Sequence, residues 1–259
     1  MSAADVHLLA RGDWPAGRLH ATWTASSHRL DAAQQAAVEA AWDAAGARPG
    51  ISLFDGPMCR LEAFHVAADG LHLQLSPTSY KKFIGTNGSH AAWADAHGAG
   101  ILANPVGTSA AVVSSDGHLI FGRRSQRVAL YPGCAHPFGG TLEPRAGGAP
   151  DLLDEMRREL EEEIGLDRSV LSDLRAIGLA EDRSLRQPEL IYRAQATLDR
   201  AAIISRLERT EHDACWTVPA DARSIAAALA STDPMTPVTR MTLEAFAAAQ
   251  WHGRPQKAG

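Results

Sequence analysis

The sequence lacks any long apolar run. No uninterrupted hydrophobic stretch among the 259 residues approaches the about 18 residues typical of a membrane-spanning helix. The opening segment, MSAADVHLLARGDWP, holds only a short apolar run preceded by an acid, whereas a secretory signal carries a basic flank. Because 45% of the residues are hydrophobic, the chain can still bury a substantial core. We therefore expect a cytoplasmic globular protein with no membrane partner.

Cysteine is also scarce. Cys59, Cys134 and Cys215 are widely spaced and include no C-x-x-C pair. This spacing indicates neither a disulfide framework nor a structural zinc site. We expect three thiols that are buried or incidental.

The chain has no excess of positive charge, since its formal net charge is −5. A general nucleic-acid binder normally presents a basic surface, so no nucleic-acid partner is expected. Small polyanionic substrates stay compatible with this charge, because they need only a local group of cations or a bound metal. The sequence shows no internal repeat, and it leaves the oligomeric state unknown.

A small α+β domain is predicted over residues 1–103. Residues 31–45 contain helix formers throughout, begin with an acid and are followed by Gly-Ala-Arg-Pro-Gly, which is typical of a surface helix. Apolar and polar residues then alternate on both sides of Asp69-Gly70, which is the pattern of a β-hairpin.

A second domain is predicted over residues 104–252, with the boundary near Asn104-Pro105. It begins with a hairpin around Asp116-Gly117 and continues with a charged helix over 151–164. The later patterns predict strands in LRAIGLA, in ELIYRAQATL and at 216–219, and closing helices at 221–230 and 237–250. Strands that enclose helices in this order indicate an α/β sandwich. Residues 253–259 are expected to form a disordered tail.

The segment DLLDEMRRELEEEIGL, residues 151–166, holds the most informative pattern. Three- and four-residue spacing predicts one apolar helix face, which consists of Leu153, Met156, Leu160 and Ile164. A neighbouring strip is acidic and consists of Glu159, Glu162 and Glu163, with Glu155 one turn earlier.

Carboxylates this close repel each other unless a cation lies among them. Hard oxygen ligands converging on one point suit Mg2+, with Mn2+ as the alternative, and leave coordination positions for water and phosphate oxygens. The competing interpretation is a solvated helix with ordinary i, i+4 pairs, Arg157–Glu161 and Arg158–Glu162. Gly139-Gly140 before the helix and Gly165 at its end favour the metal site.

Residues 158–166, RELEEEIGL, resemble the second half of the Nudix box, R-E-U-x-E-E-x-G-U with U aliphatic, and Gly140 resembles its opening glycine. The resemblance implies a Nudix α/β/α sandwich behind the small N-terminal α+β domain. It also implies a hydrolase of nucleoside diphosphate derivatives, whose catalytic residues are Arg158, Glu159, Glu162 and Glu163 and whose metal ligands are the three glutamates. Arg158 is expected to orient a glutamate rather than touch the substrate.

The first half of this box departs from the usual one. The segment between Gly140 and Arg158 is longer than usual, and Pro150 stands where a glutamate is common. We expect the inserted PRAGGAP, residues 144–150, to loop out. The early glutamate of the usual box therefore has no assigned counterpart here.

Four further strings narrow the resemblance. They are SLFDGP at 52–57, SYKKFIGTNGS at 79–89, LANPVG and LIFGRRSQRVALYPG at 119–133. They are similar to Nudix proteins that hydrolyse UDP-glucose and UDP-galactose to UMP and a sugar 1-phosphate. The resemblance implies a nucleotide-sugar substrate and a contribution of domain 1–103 to its pocket. The pocket residues that it implies are Phe54, Tyr80, Arg124, His136 and Glu143.

The chemistry of these side chains agrees with that role. Tyr80 or Phe54 can stack on a uracil ring, and Arg124 can pair with phosphate oxygens in a fork. Taken alone, Phe54 is equally well explained by core filling and Arg124 by a surface charge. His136 could also be a ligand of a transition metal, but the sequence places no second His or Cys at ligand spacing from it.

Two other functions stay open. The same enzyme chemistry could act on ADP-ribose or another nucleoside diphosphate derivative. A protein of a different class, a non-catalytic Nudix-fold ligand-binding module, could share the fold. The clustered glutamates argue against the second, because a binding module has no need of three adjacent carboxylates.

Overall fold

The computed structural model describes residues 6–48, 53–128, 131–146 and 148–252. The predicted tail, 253–259, lies outside the described residues. None of the described helices has both the length and the apolar character needed to cross a bilayer. The three cysteines are free thiols, as predicted.

The strands form two sheets. In chain order they are β1 (Val6–Trp14), β2 (Leu19–Trp23), β3 (Pro57–Ala67), β4 (Gly70–Ser79), β5 (Gly107–Val113), β6 (His118–Arg124), β7 (Ala135–His136), β8 (Phe138–Thr141), β9 (Leu171–Asp182), β10 (Gln187–Ala196) and β11 (His212–Pro219). The helices are α1 (Ala32–Gly46), α2 (Tyr80–Phe83), α3 (Trp93–His97), α4 (Leu152–Ile164), α5 (Arg200–Ile204), α6 (Ala222–Ala230) and α7 (Pro237–His252). The predicted hairpins at Asp69-Gly70 and Asp116-Gly117 are confirmed as β3–β4 and β5–β6.

The larger sheet has the order β1-β9-β10-β5-β6-β11, with β7 beside β6 and β8 beside β5. Side chains alternate between the two faces of a strand. In the fully buried β5, Ala110 and Val112 pack in the core that contains α4, whereas Ala111 and Val113 pack in the core that contains α6 and α7. Both faces of the sheet are therefore covered by helices, and the predicted α/β/α sandwich is confirmed.

The smaller sheet has the order β2-β4-β3 and packs against the α4 side of the sandwich. Leu71, Leu73 and Leu75 of β4 are buried in the same core as Leu160 of α4. This contact brings the N-terminal part of the chain to the helix that carries the acidic strip.

The strand β1 belongs to the larger sheet, where it pairs antiparallel with β9. This strand was not predicted from the sequence. The division of the chain at residue 103 stays a prediction, and the N-terminal segment contributes β1 to the larger sheet and all three strands of the smaller sheet.

The predicted acidic helix is present as α4. The Asp151 side chain caps its first turn by accepting hydrogen bonds from the Leu153 and Asp154 amides, and Gly165 ends it in the left-handed conformation (φ 63°). The predicted apolar face, Leu153, Met156, Leu160 and Ile164, is buried. Packing of this face on the sheet turns the acidic strip toward the ends of β5 and β8.

Candidate active site

A cavity of about 510 Å³ lies beside the acidic strip of α4. It extends from α4 and β8 across the ends of β6 and β10 to the start of α2. Of the residues predicted from the sequence, those that line it are Tyr80, Arg124, His136, Glu159, Glu162 and Glu163. The fold therefore brings together residues that lie more than 80 positions apart in the chain.

Phe54 and Glu143, the other two predicted pocket residues, line an adjoining recess of about 320 Å³ together with Arg158. Tyr80 and Glu159 line both spaces, so the recess lies directly beside the main cavity. The Phe54 ring is 79% exposed, which excludes the core-filling alternative and leaves its face open to a ligand.

Glu163 reaches the cavity from α4 through a contact with β8. Its Oε2 accepts a hydrogen bond of 2.8 Å from the Gly139 amide, while burial raises the pKa of the Glu163 carboxyl to about 8. Gly139 has a φ of 153°, and a Cβ there would lie 1.9 Å from the Thr108 carbonyl oxygen. Only glycine therefore lets β8 approach β5 this closely and present its N–H to Glu163.

Glu159 lies against the opening glycine of the box. A Cβ on Gly140 would lie 2.5 Å from Glu159 Oε1, so the absence of a side chain makes the space for this carboxylate. Arg158 Nη2 donates to the same oxygen across 2.7 Å. Burial raises the pKa of the Glu159 carboxyl, and the charge of Arg158 opposes that rise.

Arg158 binds three carboxylates rather than lining the main cavity. Besides Glu159, it donates to Glu155 Oε2 at 3.2 Å and to Glu162 Oε2 at 2.9 Å. These contacts agree with the orienting role expected for Arg158. The predicted pair Arg158–Glu162 is present, whereas Arg157 pairs with Asp154 one turn earlier on the helix.

The inserted loop returns to the helix. Arg145, within 144–150, donates from Nε to Glu155 Oε1 across 2.5 Å. Glu155 is 2% exposed and is bonded by both Arg145 and Arg158. The buried Glu155 thus anchors the insertion and the orienting arginine to one helical turn.

The three predicted metal ligands are not equivalent in position. The Glu162 side chain is 58% exposed and bonded to Arg158, whereas Glu159 and Glu163 are held against Gly140 and Gly139. Among the described residues, the carboxylate oxygens of Glu159, Glu162 and Glu163 do not form a group in which all three lie within 4.8 Å of one another. The expected convergence of three carboxylates on one point is therefore absent from this arrangement.

The donor set nevertheless fits a hard divalent cation. Glu159 and Glu163 offer oxygen atoms only, both partly buried beside the same cavity, where the repulsion of unbalanced carboxylates is poorly screened. Oxygen donors on a cavity wall suit Mg2+ or Mn2+, which keep positions for water and phosphate oxygens.

A cationic wall faces these carboxylates. The charge of Arg124, at the end of β6, acts on Glu163, His136 and His212. Burial first and Arg124 second lower the pKa of His136 well below its ordinary value and that of His212 to about 4. Both imidazoles are therefore neutral near pH 7, whereas the neighbouring Arg124 carries a positive charge at the cavity wall.

His136 has a structural partner. Its Nδ1 lies 3.0 Å from the Thr236 hydroxyl, which precedes α7. This contact ties β7 to the helix layer on the far face of the sheet. No trio of metal-ligating groups in the described residues includes His136, so the structure does not support a transition-metal site at His136.

Sequence reasoning missed Glu189 on β10. This side chain lines the cavity and is 7% exposed, and burial raises the pKa of its carboxyl to about 8. A Cβ on Gly107 of the neighbouring β5 would lie 1.8 Å from Glu189 Oε2. A charged residue at the start of the otherwise buried run ELIY was the available signal, because buried carboxylates are rare without a role.

The FIGTN string, 83–87, is mainly structural. The Asn87 side chain donates to the Leu185 carbonyl at 2.9 Å and accepts from the Asn104 amide at 3.1 Å. The Thr86 hydroxyl accepts from the Ala103 amide at 2.9 Å. These bonds join three loops at one side of the cavity, where Phe83 and Leu185 contribute to its lining.

Comparison with known proteins supports the sequence resemblance. No family model matches the chain. Over 160 residues it is 35% identical to the uridine diphosphate glucose pyrophosphatase NUDT22 of Homo sapiens, an alignment that covers 51% of this chain and 53% of that protein. The predicted resemblance to UDP-sugar-hydrolysing Nudix proteins is confirmed. The protein of the same name from Mus musculus is 35% identical over 155 residues, or 49% of this chain and 50% of that one. The chain spans about half the length of the curated relatives it matches.

Solved Nudix structures show a weaker likeness. A mutT/nudix family protein from Listeria innocua has a TM-score of 0.42 at 16% identity and covers 57% of this chain and 95% of its own. A MutT protein from Methanosarcina mazei Go1 has a TM-score of 0.38 at 16% identity, with 58% and 96% covered.

Proposed function

We propose that the chain is a Nudix pyrophosphohydrolase that splits the diphosphate of a nucleotide sugar, with UDP-glucose or UDP-galactose giving UMP and a sugar 1-phosphate. The observation that carries this proposal is the placement of Glu159 and Glu163 in one cavity with Arg124 and Tyr80. A cavity with acidic, cationic and aromatic walls suits a ligand with a metal-bound diphosphate and a base. The relatives named for UDP-glucose make uridine the leading base.

Glu159 and Glu163 would hold the divalent cation, Mg2+ or Mn2+, and Glu162 would join them after leaving Arg158. Such an ion balances the charge of the diphosphate and activates water when it is bound. Arg158 keeps the Glu159 carboxylate oriented through its 2.7 Å hydrogen bond. It is a positioning residue, because its contacts are with carboxylates.

The other walls would bind the substrate. Arg124 pairs with phosphate oxygens, and the neutral His136 and His212 beside it add no competing charge. Tyr80 and the exposed Phe54 offer ring faces to the base. Glu143 can accept hydrogen bonds from sugar hydroxyls in the adjoining recess. Water then displaces one phosphoryl group in line, and the bridging P–O bond breaks.

A substrate panel tests this proposal. UDP-glucose, UDP-galactose, ADP-glucose and ADP-ribose are incubated with the full chain and Mg2+ or Mn2+, and nucleoside monophosphate release is followed by chromatography. We expect UMP from the UDP-sugars and no turnover after chelation. In 18O-water, the product that carries the label identifies the attacked phosphorus.

The other outcomes of the panel select the alternatives. Turnover of ADP-ribose with UDP-glucose inert would replace the substrate and keep the chemistry. Binding of UDP-glucose without metal-stimulated turnover of any substrate would instead support the non-catalytic ligand-binding module.

A further inference from the structure

A row of three imidazoles crosses the smaller sheet. His20 of β2 and His65 of β3 are both in register with His72 of β4. Their rings stack on His72 with centroid separations of 4.4 and 4.5 Å. Because neighbouring strands lie about 4.8 Å apart, paired side chains on one face meet in this way. The His72 ring is therefore held between two others.

Asp69, in the turn between β3 and β4, completes the group. His72 Nε2 lies 2.9 Å from Asp69 Oδ1, and His20 Nε2 lies 3.4 Å from the Asp69 carbonyl oxygen. One ligand atom each from His20, Asp69 and His72 lies within 4.8 Å of the other two, and no other such trio occurs among the described residues. Two ligands at about 2.1 Å from one ion are at most about 4.2 Å apart. The three ligand atoms are therefore near the separations that one ion allows, and the Asp69 side chain, which is 65% exposed, has room to rotate.

The backbone fixes these groups in place. Gly70 has a φ of 144°, and a Cβ there would lie 2.0 Å from the Arg18 carbonyl oxygen. Arg18 Nη2 in turn donates to the Ala68 carbonyl across 3.1 Å. The turn therefore packs directly on the residue that precedes β2. Two ligands lie on paired strands and the third lies in a pinned turn, so the backbone brings the three groups together, and binding of an ion requires rotation of the stacked rings and of the Asp69 side chain.

We propose that His20, Asp69 and His72 bind a divalent transition-metal ion, for which Zn2+ is the best match, at a site separate from the acidic cavity. Two imidazole nitrogens and one carboxylate suit Zn2+, whereas Mg2+ prefers oxygen ligands alone. His65 is a positioning residue that stacks on His72 and is not within the ligand trio.

The site opens onto solvent. His20 and His72 line a groove of about 560 Å³ with the start of α4, and its lining shares no residue with that of the acidic cavity. Three protein ligands would leave one position of a tetrahedral Zn2+ ion for water. The ion would also link the edge strand β2 to the β3–β4 turn.

Zn2+ titration of the chelator-treated full chain tests the proposal. Calorimetry at pH 7.5 counts bound equivalents in the wild type and in His20→Ala and His72→Ala. We expect each variant to lose one equivalent, whatever the acidic cavity retains. The matched control is His118→Ala, since His118 Nδ1 lies 3.5 Å from Asp116 Oδ2 and belongs to no such trio in the described residues. This variant should bind as many equivalents as the wild type.

Two further readouts make the result decisive. Zn2+ should raise the melting temperature of the wild type and of His118→Ala but not of His72→Ala. Co2+ should give a visible absorption band typical of tetrahedral coordination that is lost in His20→Ala. Equal Zn2+ stoichiometry and affinity in the wild type and both ligand variants would overturn the proposal. If the alanine variants do not fold, His20→Gln and His72→Gln replace them and are judged in the same way. Nucleotide-sugar hydrolysis does not enter the test, so its outcome is independent of the proposed function.

Discussion

Arg145 Nε donates to Glu155 Oε1 across 2.5 Å, and this bond fastens the loop inserted in the acidic motif to the helix that carries the motif. The inserted loop therefore packs against the helix of the site and does not project away from it. Glu155 also receives Arg158, which holds Glu159. A residue of the inserted loop is thus connected to a proposed metal ligand through two intervening side chains, Glu155 and Arg158.

Replacing Arg145 with Ala should lower the free energy of unfolding by about 1 kcal/mol, because the buried Glu155 loses one of its two partners. The exposure of Arg145 (54%) keeps the loss small. Urea unfolding measures it. The matched control is Arg168→Ala, which removes an ion pair to the same helix between side chains that are 72% and 38% exposed. An equal effect of the two substitutions would contradict this assignment.

Glu163→Gln and Glu159→Gln should each lower kcat on UDP-glucose by about a hundredfold or more, because each removes a carboxylate proposed to hold the cation. Steady-state kinetics with Mg2+ measures the loss, and circular dichroism checks the fold. Glu161→Gln is the matched control, since Glu161 is exposed on the same helix and does not line the cavity. Wild-type turnover in Glu163→Gln would refute the metal assignment.

Arg124→Lys should raise the KM for UDP-glucose about tenfold or more, because a single ammonium cannot reproduce the two parallel hydrogen bonds of a guanidinium to phosphate. Arg123→Lys provides the comparison on the same strand. Arg123 donates to the Gly133 and Pro234 carbonyls and does not line the cavity, so its KM should stay near that of the wild type. An unchanged KM in Arg124→Lys would remove Arg124 from the phosphate site.

Glu62 should contribute to acid stability. Burial alone would raise its pKa, but hydrogen bonds from Ser27 and Ser76 and the Arg60 ion pair outweigh burial and lower the pKa from 4.5 to about 2. A carboxyl whose pKa is lower in the folded state than in the unfolded state stabilises the fold at any pH above its unfolded pKa. This stabilisation is lost as the pH falls through the pKa of the folded state. The wild type should therefore be about 2 to 3 kcal/mol more stable than Glu62→Gln at neutral pH.

That advantage should shrink as pH falls from 4.5 toward about 2, which urea unfolding at a series of pH values would follow. The control is Glu39→Gln, whose carboxylate is paired with Lys81 at the surface and is 48% exposed. It should change stability little at any pH. A pH-independent difference between the wild type and Glu62→Gln would show that the ionised form of Glu62 is not what stabilises the fold.

Local patterns predicted the elements that depend on close neighbours in the chain. The spacing of Leu153, Met156, Leu160 and Ile164 predicted the buried face of α4, and Gly165 predicted its end. Alternation around Asp69-Gly70 predicted one hairpin and aliphatic residues on both sides of Asp116-Gly117 predicted the other, because the partners lie on either side of a short turn. These contacts span a few residues, so their geometry is largely contained in the sequence period.

Contacts between distant segments escaped the same reasoning. The sequence contains no local signal that β1 pairs with β9, or that Glu189 lies in the cavity with residues of α4. The acidic strip of α4 shows, within one helix, the difference between what residue spacing determines and what tertiary packing determines. Residue spacing determined that Glu159, Glu162 and Glu163 share a side of α4. Only the packing of α4 against β8 placed Glu159 and Glu163 beside Gly140 and Gly139. The hydrogen bond from Arg158 keeps Glu162 at the exposed side of the helix. Tertiary partners of this kind decide where a side chain points, and residue spacing does not specify them.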